Sequence, residues 1–267
     1  MPLANLATPE TPPDLPVLHR DAQMVAIDKP SGLLVHRSPI DRHETRFAVQ
    51  LLRDQLGQRV YPVHRLDKGT SGVLLFALDR ESAATLAAQF STGEAHKRYL
   101  AVVRGWPLAD GLIDHALRDP TDTRLGPAPT EARSSRTRYR RVATAELPYR
   151  VDRYPTARYA LVEVEPLTGR RHQIRRHLAH VSHPVIGDST YGKGRHNRLF
   201  RELFGVNRLL LACVRLELRH PLTGATVVIE APLTGPFASL VERLGWAPLC
   251  TASAPGLDDI AEGATAR

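Results

Sequence analysis

The sequence is poor in cysteine and has no long hydrophobic run. Its two cysteines, Cys213 and Cys250, form no C-x-x-C pair, which argues against a disulfide framework and a thiolate metal site and favours a reducing cytoplasm. The longest apolar runs, 73–78 and 209–214, are far too short to cross a bilayer, and the N-terminus lacks a basic region followed by an apolar one. We therefore expect a soluble cytoplasmic protein without a membrane partner.

Motifs for common cofactors are also missing. The chain contains neither G-x-G-x-x-G nor G-x-x-x-x-G-K followed by Ser or Thr, so a nucleotide cofactor is unsupported. The histidines at positions 172, 177, 180 and 183 come without an H-E-x-x-H pattern or a nearby acidic ligand before Asp188, which argues against a metal site. A G-x-S-x-G elbow of the kind found in serine hydrolases is absent too. We expect no cofactor and no metal.

Lysine is scarce, because only four of the 36 basic residues are lysines. Guanidinium groups suit phosphate and bases, but genome base composition gives the same bias, so the position of the arginines is more informative than their number. The formal net charge of +8 indicates an acidic partner, and nucleic acid is the commonest one for a soluble basic protein. A basic metabolic enzyme is the alternative.

The chain divides into one large domain and two tails. Residues 1–16 contain five prolines, and residues 248–267 are rich in alanine, glycine and acidic side chains. Both segments are typical of flexible tails, which leaves one domain over 17–247. Within it, residues 106–135 contain four prolines and predict a long surface loop.

Seven strands and four helices are predicted between the tails. The predicted strands cover 24–28, 72–78, 98–103, 137–142, 159–165, 209–218 and 226–230, and the predicted helices cover 48–56, 81–90, 172–180 and 237–244. Strands outnumber helices, and short Pro or Gly turns such as 220–224 join several of them. This pattern favours the α+β class, with an antiparallel or mixed sheet, over regular alternation of strand and helix.

One carboxylate is a candidate for chemistry. Residues 64–72 read HRLDKGTSG and lead directly into an apolar strand, so Asp67 lies in a cationic loop that contains glycine. Arg65 and Lys68 favour its ionised form, which a nucleophile or base requires, and the glycines permit unusual backbone angles. The alternative is a surface ion pair or a turn-forming aspartate. Only further motifs decide between the two.

Three segments resemble the motifs of one enzyme family, in the family's order. Residues 64–72, 97–105 (KRYLAVVRG) and 168–177 (TGRRHQIRRH) resemble the central, second and third motifs of the RluA-type pseudouridine synthases. Residues 28–36 (DKPSGLLVH) resemble the opening motif, and 183–188 (HPVIGD) resemble the turn that follows the third-motif helix. The resemblance covers roughly residues 17 to 233, so the predicted domain at 17–247 would be the catalytic domain.

This resemblance implies a fold and a set of site residues. The fold would be a mixed, largely antiparallel sheet that is split by a central active-site cleft and flanked by helices. Asp67 would be the catalytic carboxylate, with Arg175 as its ion-pair partner. Tyr99 would lie against the target base, and Arg65 would fill the gap left by that base or hold a phosphate. By propensity alone, Tyr99 would be a packing residue and Arg175 a surface residue.

Weaker signals point to the subgroup of this family that modifies transfer RNA. They are residues 35–42 (VHRSPIDR), 153–159 (RYPTARY) and 207–209 (NRL). One departure is visible, since relatives usually carry His-Ala after the Arg-Leu-x-Leu of the late strand, where this chain has Ala212 and Cys213. The departure concerns the packing or RNA contacts of that strand, and not the reaction.

Two groups of arginines are candidate RNA contacts. Arg136, Arg138 and Arg140 occupy alternate positions, so a strand would place all three on one face as a phosphate track. The alternative is an edge strand that is protected by charge. Arg170 and Arg171 belong to a second basic cluster, around the start of the third predicted helix.

The family resemblance implies isomerisation of uridine to pseudouridine in RNA, without a cofactor, on a base that has flipped out of its helix. The subgroup signals imply uridine 65 in the T stem of transfer RNA. The short segment before residue 17 leaves no room for an S4-like RNA-binding domain, which also favours a compact target, and we expect a monomer. The alternatives are the same chemistry on 23S ribosomal RNA and a noncatalytic RNA-binding module, which intact Asp67, Tyr99 and Arg175 argue against.

Overall fold

The structure is a computed structural model that describes residues 14–37, 43–118 and 131–247. Most of the expected N-terminal tail, the expected C-terminal tail, residues 38–42 of the 35–42 phrase and residues 119–130 of the expected loop lie outside the described part. None of the helices in the described ranges is long and apolar enough to span a membrane.

Within those ranges the chain forms ten strands and five helices. The strands are β1 (Val17–Arg20), β2 (Met24–Lys29), β3 (Tyr61–Pro62), β4 (Ser71–Ala77), β5 (His96–Arg104), β6 (Asp110–Asp114), β7 (Arg136–Leu147), β8 (Ala157–Pro166), β9 (Leu211–Arg219) and β10 (Thr226–Glu230). The helices are α1 (Ala48–Leu56), α2 (Arg80–Thr92), α3 (Gln173–His180), α4 (Gly194–Phe204) and α5 (Gly235–Arg243). The expected α+β class is confirmed.

One mixed sheet contains all ten strands. They are ordered β1-β2-β4-β9-β5-β8-β7-β6, with β10 paired to β9 and β3 paired to β4. Among the named strands of the described residues, only β4 and β9 run parallel, and the other strand pairs are antiparallel. The mixed, largely antiparallel sheet that the family resemblance implies is therefore present.

The contact between β4 and β9 divides this sheet into two halves. It consists of two residue pairs, Ser71 with Ala212 and Gly72 with Cys213. Gly72 has φ 102, and a Cβ atom there would lie 2.0 Å from the carbonyl oxygen of Cys213, so this close approach requires glycine. Because the two strands meet only briefly, the turn that precedes β4 is left at a cleft between the halves.

The two faces of the sheet carry separate hydrophobic cores. Along β5, Tyr99, Ala101 and Val103 join one core, whereas Leu100 and Val102 join the other, as the two-residue period of a strand requires. Helix α3 contributes side chains to the first core, and helices α4 and α5 contribute to the second. We call these surfaces the α3 face and the α5 face.

The sequence patterns miss four elements, namely β1, β3, β6 and α4. The loop prediction for 106–135 is wrong at β6, because this five-residue strand is held by pairing with β7, a partner that its own short pattern does not reveal. Helix α4 begins with a glycine and is mainly polar, a composition typical of a loop. Helix α3 begins one residue later than predicted, because His172 has a left-handed backbone.

Candidate active site

Asp67 lies in the turn that connects β3 with β4, and its side chain is 18% exposed. The opening segment of the domain holds this turn from one side. The Gly32 N–H donates to the Lys68 carbonyl at 2.7 Å, and the Ser31 hydroxyl donates to the Gly69 carbonyl at 2.7 Å. The opening and central motifs of the sequence are therefore one structural unit around Asp67.

A buried lysine joins the same two segments. The ammonium group of Lys29 donates to the carbonyl oxygens of Pro30 at 2.8 Å, Leu33 at 2.8 Å and Lys68 at 3.3 Å. Burial lowers the pKa of Lys29 to about 7, and the positive charge of Arg208 acts in the same direction. Lys29 lies in the opening motif, but its sequence context gives no sign of this role.

Arg175 lies between two carboxylates. Its Nη1 atom donates to Oδ2 of Asp67 at 3.1 Å, so the expected ion pair is present. Its Nε and Nη2 atoms donate to the two oxygens of Asp188 at 2.7 and 2.9 Å, which is a bidentate contact. Asp188 is buried and also accepts the backbone N–H groups of Thr190 and Tyr191. Arg175 is thus fixed by Asp188 while it holds Asp67.

The electrostatics of Asp188 explain why it can be buried here. Burial by itself would raise the pKa of the Asp188 carboxyl. The hydrogen bonds from Arg175 and from the backbone outweigh burial, so the pKa is lowered and the group stays ionised. In the sequence Asp188 was visible only as the last residue of the HPVIGD turn.

The cations that neighbour Asp67 in sequence are not its partners in space. Lys68 pairs with Glu44 at 2.5 Å, from Nζ to Oε1, and the Arg65 side chain is exposed. The expectation that Lys68 supports the Asp67 carboxylate is therefore wrong. Adjacent residues of a turn point in different directions, whereas Arg175 reaches the carboxylate from a separate helix.

A histidine approaches the second oxygen of Asp67. The Nε2 atom of His172 lies 3.8 Å from Oδ1 of Asp67, and its Nδ1 atom lies 3.0 Å from the hydroxyl of Tyr191. The Tyr191 ring in turn lies 5.2 Å from the Arg175 guanidinium. In the described residues no group of three His, Cys, Asp or Glu side chains is placed to hold a metal ion. His172 lies in the third motif, but the sequence does not predict this contact.

A cavity of about 440 Å³ opens beside Asp67, and Tyr99 lies in its wall. Tyr99 is 8% exposed, and burial raises the pKa of its hydroxyl well above the ordinary value. Cys213 pairs with Tyr99 across strands β9 and β5, and burial raises the pKa of its thiol to about 12. The departure from the usual family pattern thus places a neutral thiol against Tyr99, whereas Ala212 belongs to the opposite core.

A second cavity, of about 800 Å³, adjoins the first at the Asp67 turn. Five side chains line both cavities, namely Arg65, Asp67, Arg171, His172 and Arg175. Cations line both cavities, but the first also has aromatic and aliphatic walls, while the second is lined by several glycines. The pair of cavities suits a flat ring on one side of Asp67 and an anionic group on the other.

The three alternating arginines of β7, Arg136, Arg138 and Arg140, do not line either cavity. Thr137 and Tyr139, which alternate with them, face the α3-face core, and the Thr137 hydroxyl contacts helix α3. Arg136, Arg138 and Arg140 therefore share a face, as expected, but it is the α5 face and not the side on which Asp67 lies. Arg170 and Arg171, in contrast, line the first cavity.

Each of these three arginines has an acidic neighbour. The distances are 3.8 Å from Arg136 to Asp114, 3.7 Å from Arg138 to Glu165 and 3.2 Å from Arg140 to Glu163. Strand β6 covers the outer side of β7, so the interpretation as a charge-protected edge strand is wrong. The role of these arginines as RNA contacts stays a prediction.

Known proteins resemble this chain in sequence and in fold. A family model described as RNA pseudouridylate synthase matches residues 23–180. Two relatives are named tRNA pseudouridine synthase C. The protein from Vibrio vulnificus is 46% identical over 243 residues, which cover 90% of this chain and 99% of the relative. The protein from Vibrio parahaemolyticus is 44% identical over 238 residues, which cover 88% of this chain and 97% of the relative. The structure titled Human RNA Pseudouridylate Synthase Domain Containing 1 has a TM-score of 0.65 at 26% identity, over 93% of this chain and 100% of that chain.

The residues matched by the family model include the Asp67 turn, Tyr99 and Arg175 of helix α3. They make up more than half of the chain, and the Vibrio relatives extend the similarity over most of it. The expected membership in the RluA-type group is confirmed. The chain therefore belongs to the RNA pseudouridylate synthase family, whose members isomerise uridine to pseudouridine in RNA.

Proposed function

We propose that this pseudouridine synthase acts on transfer RNA and converts uridine 65 of the T stem, with Asp67 as the catalytic carboxylate. The choice of transfer RNA is supported by the similarity to proteins named tRNA pseudouridine synthase C over 90% of the chain. The chemistry is supported by a single observation, the Asp67 carboxylate held by Arg175 where two cavities meet.

A uridine in a stem must leave its helix before any of these groups can reach it. The first cavity has room for a flipped pyrimidine, and the Tyr99 ring offers a surface against which it stacks. Arg65 is exposed and lines both cavities, so it is placed to fill the gap in the stem or to hold a phosphate. Arg171 lines both cavities as well and adds a cation near the RNA backbone.

In the proposed reaction the bond between ribose C1′ and base N1 breaks, the base turns while it is held, and C5 bonds to C1′. C5 loses a proton and N1 gains one, so nothing is added or lost overall. Asp67 acts as a nucleophile or as the base that removes a sugar proton, and both routes require an ionised carboxylate. Because Arg175 occupies Oδ2, Oδ1 is the oxygen that faces the substrate.

Tyr99 enters this reaction as a neutral phenol, since its pKa is raised. It can therefore take the C5 proton only by passing its own proton on in the same step. Stacking against the base does not depend on that proton. A Tyr99→Phe variant separates the two roles, because the ring remains while the hydroxyl is removed.

We also propose that the enzyme is a cytoplasmic monomer that needs no nucleotide cofactor. An isomerisation without net gain or loss of atoms requires neither an oxidant nor a phosphoryl donor. Activity that survives gel filtration into buffer without small molecules, in the fraction that elutes as a single chain, is the expected result. Activity only in a dimer fraction would contradict the proposed monomer. Activity only after nucleotide is added would contradict the proposed independence from a nucleotide cofactor.

The experiment for the proposed function is tritium release. Unmodified transfer RNA that carries tritium at uridine C5 is incubated with the purified protein, and the product is mapped by carbodiimide-dependent primer extension. Release of label with a stop at position 65 is the expected result. Release from 23S ribosomal RNA alone would support the assignment as a pseudouridine synthase but show that ribosomal RNA is the substrate. No release from either RNA would favour a noncatalytic RNA-binding module. Asp67→Asn serves as the matched inactive control.

A further inference from the structure

His172 is held in a left-handed backbone conformation that is uncommon for residues other than glycine. Its φ is 55, and only one other non-glycine residue of the described chain, Ser182, has a positive φ. A side chain with a Cβ atom is strained in the left-handed region, where glycine is not. Such strain persists only where the surrounding structure enforces it, and it is concentrated at functional sites. The question is therefore what the imidazole at this position does.

The imidazole of His172 lies between Tyr191 and Asp67. Its Nδ1 atom is 3.0 Å from the Tyr191 hydroxyl, and its Nε2 atom is 3.8 Å from Oδ1 of Asp67. Arg175 occupies the other oxygen, Oδ2, at 3.1 Å. The turn that contains Asp188 and Tyr191 supports both contacts, because Asp188 holds Arg175 and Tyr191 holds His172. One turn thus supports both side chains that approach Asp67, Arg175 at Oδ2 and His172 at Oδ1.

We propose that His172 is a positioning residue for Asp67. In this role His172 holds Oδ1, the second oxygen of the Asp67 carboxylate, and thereby fixes the direction in which that carboxylate faces the substrate. The inference rests on the proposed function of Asp67. The Nε2 atom of His172 is slightly beyond hydrogen-bond distance from Oδ1 of Asp67, and a shift of roughly 0.8 Å closes that gap. RNA that fills the two cavities lined by His172 supplies a reason for such a shift.

The charge state of His172 suits this role. The titratable and charged groups that face it are Asp67, Arg171, Arg175, Asp188 and the Tyr191 hydroxyl. Burial lowers the pKa of His172, and together with Arg175 and Arg171 it outweighs the opposite effect of Asp67 and Asp188, so the ring is neutral at pH 7. When the Tyr191 O–H donates to Nδ1, the hydrogen of the neutral ring is on Nε2 and points toward Asp67. Protonation at lower pH would turn this contact into an ion pair and make Oδ1 less reactive.

The test is a set of single variants, assayed with tritium-labelled transfer RNA. His172→Gly removes the imidazole and also relieves the backbone strain, so its melting temperature should equal or exceed that of the wild type. We expect kcat to fall at least ~10-fold while KM changes less than ~3-fold. The acid side of the pH profile of kcat should flatten, because the titrating ring is gone. His172→Gln, whose amide can still donate, should recover part of the lost kcat.

Ser182→Gly is the matched control, because it relieves the same kind of strain at the far end of helix α3. It should change the melting temperature but neither kcat nor the pH profile. Wild-type kcat and an unchanged acid limb in His172→Gly would overturn the role of His172 while leaving the proposed function intact. Wild-type protein that releases no tritium from any RNA would overturn the proposed function itself, and this inference with it.

Discussion

The Nη1 atom of Arg175 lies 3.1 Å from Oδ2 of Asp67, although 108 residues separate the two in the chain. The contact joins the turn before β4 to helix α3, which packs on strands β7 and β8 in the other half of the sheet. The orientation of the carboxylate therefore depends on how the two halves meet. Because Asp188 already fixes Arg175, this arrangement is set before substrate arrives.

Replacing Asp188 tests the support of this ion pair. Asp188→Asn removes the charge that anchors Arg175, so we expect kcat to fall by about 100-fold because Asp67 loses its fixed direction. Stability should fall by roughly 3–5 kcal/mol, since a buried cation loses a partner. Urea unfolding and tritium release measure the two effects. Asp152→Asn, a partly exposed carboxylate away from Asp67, is the control, and equal losses of kcat in both variants would contradict the account.

Lys29 provides a second test, which concerns the loop and not the ion pair. Lys29→Met leaves the carbonyls of Pro30, Leu33 and Lys68 without their donor, and we expect a loss of roughly 1–3 kcal/mol. Hydrogen exchange should quicken in the turn before β4. Lys193→Met, at an exposed lysine, should change neither quantity. Unaltered exchange in Lys29→Met would show that the turn does not depend on this lysine.

The dependence of stability on pH is predicted from His64. Its Nε2 atom accepts the Leu75 N–H at 2.9 Å, and burial lowers its pKa to about 3. The unfolded chain binds a proton here near pH 6.5 and the folded chain only near pH 3. The stabilising contribution is therefore complete above pH 6.5 and is lost as pH falls below it, by up to about 1.4 kcal/mol per unit.

The corresponding measurement is the free energy of unfolding between pH 4 and pH 7. His64→Gln keeps a polar side chain but cannot titrate, so its slope against pH should be lower than that of the wild type by about the same 1.4 kcal/mol per unit. Several other histidines with lowered pKa values, such as His177 and His196, should leave a residual slope in the variant. Identical slopes would mean that His64 is charged in the folded protein.

The helices and strands with the clearest hydrophobic pattern were predictable from the local sequence. Helix α1 and strand β10 have the predicted bounds, and the apolar run at β4 is buried throughout. The weak elements were not, because β6 exists through its pairing with β7 and α4 has a mainly polar sequence. Periodicity also predicts that Arg136, Arg138 and Arg140 of β7 share a face. It could not show which face, since that depends on where α3 packs.

The site was predictable to the extent that each residue lies in a motif. Asp67, Tyr99 and Arg175 came from the resemblance, and the structure brings all three to one cavity. The sequence does not predict the role of Asp188, because its contact with Arg175 requires the turn after α3 to fold back on the helix. The left-handed backbone of His172 has no signature in composition or period, which is why its approach to Asp67 was missed.

Arginine substitutions separate the two candidate RNA surfaces. Arg171 lines both cavities, so Arg171→Ala should weaken binding of transfer RNA and reduce the slope of log affinity against log salt by about 1. Arg138 lies 3.7 Å from Glu165 on the α5 face, so Arg138→Ala should have a smaller effect. Filter binding at several salt concentrations measures both. A larger loss of RNA affinity in Arg138→Ala than in Arg171→Ala would support the hypothesis that the arginines of β7 bind RNA phosphates.

The most direct test of the central claim is single-turnover conversion of transfer RNA by Asp67→Asn, with RNA affinity measured on the same sample. The variant keeps the shape of the side chain but removes the charge that Arg175 holds. We expect the dissociation constant to stay within ~3-fold of the wild-type value while conversion falls by ~10⁴-fold or more. Conversion at a wild-type rate by this variant would contradict the assignment of Asp67 as the catalytic carboxylate.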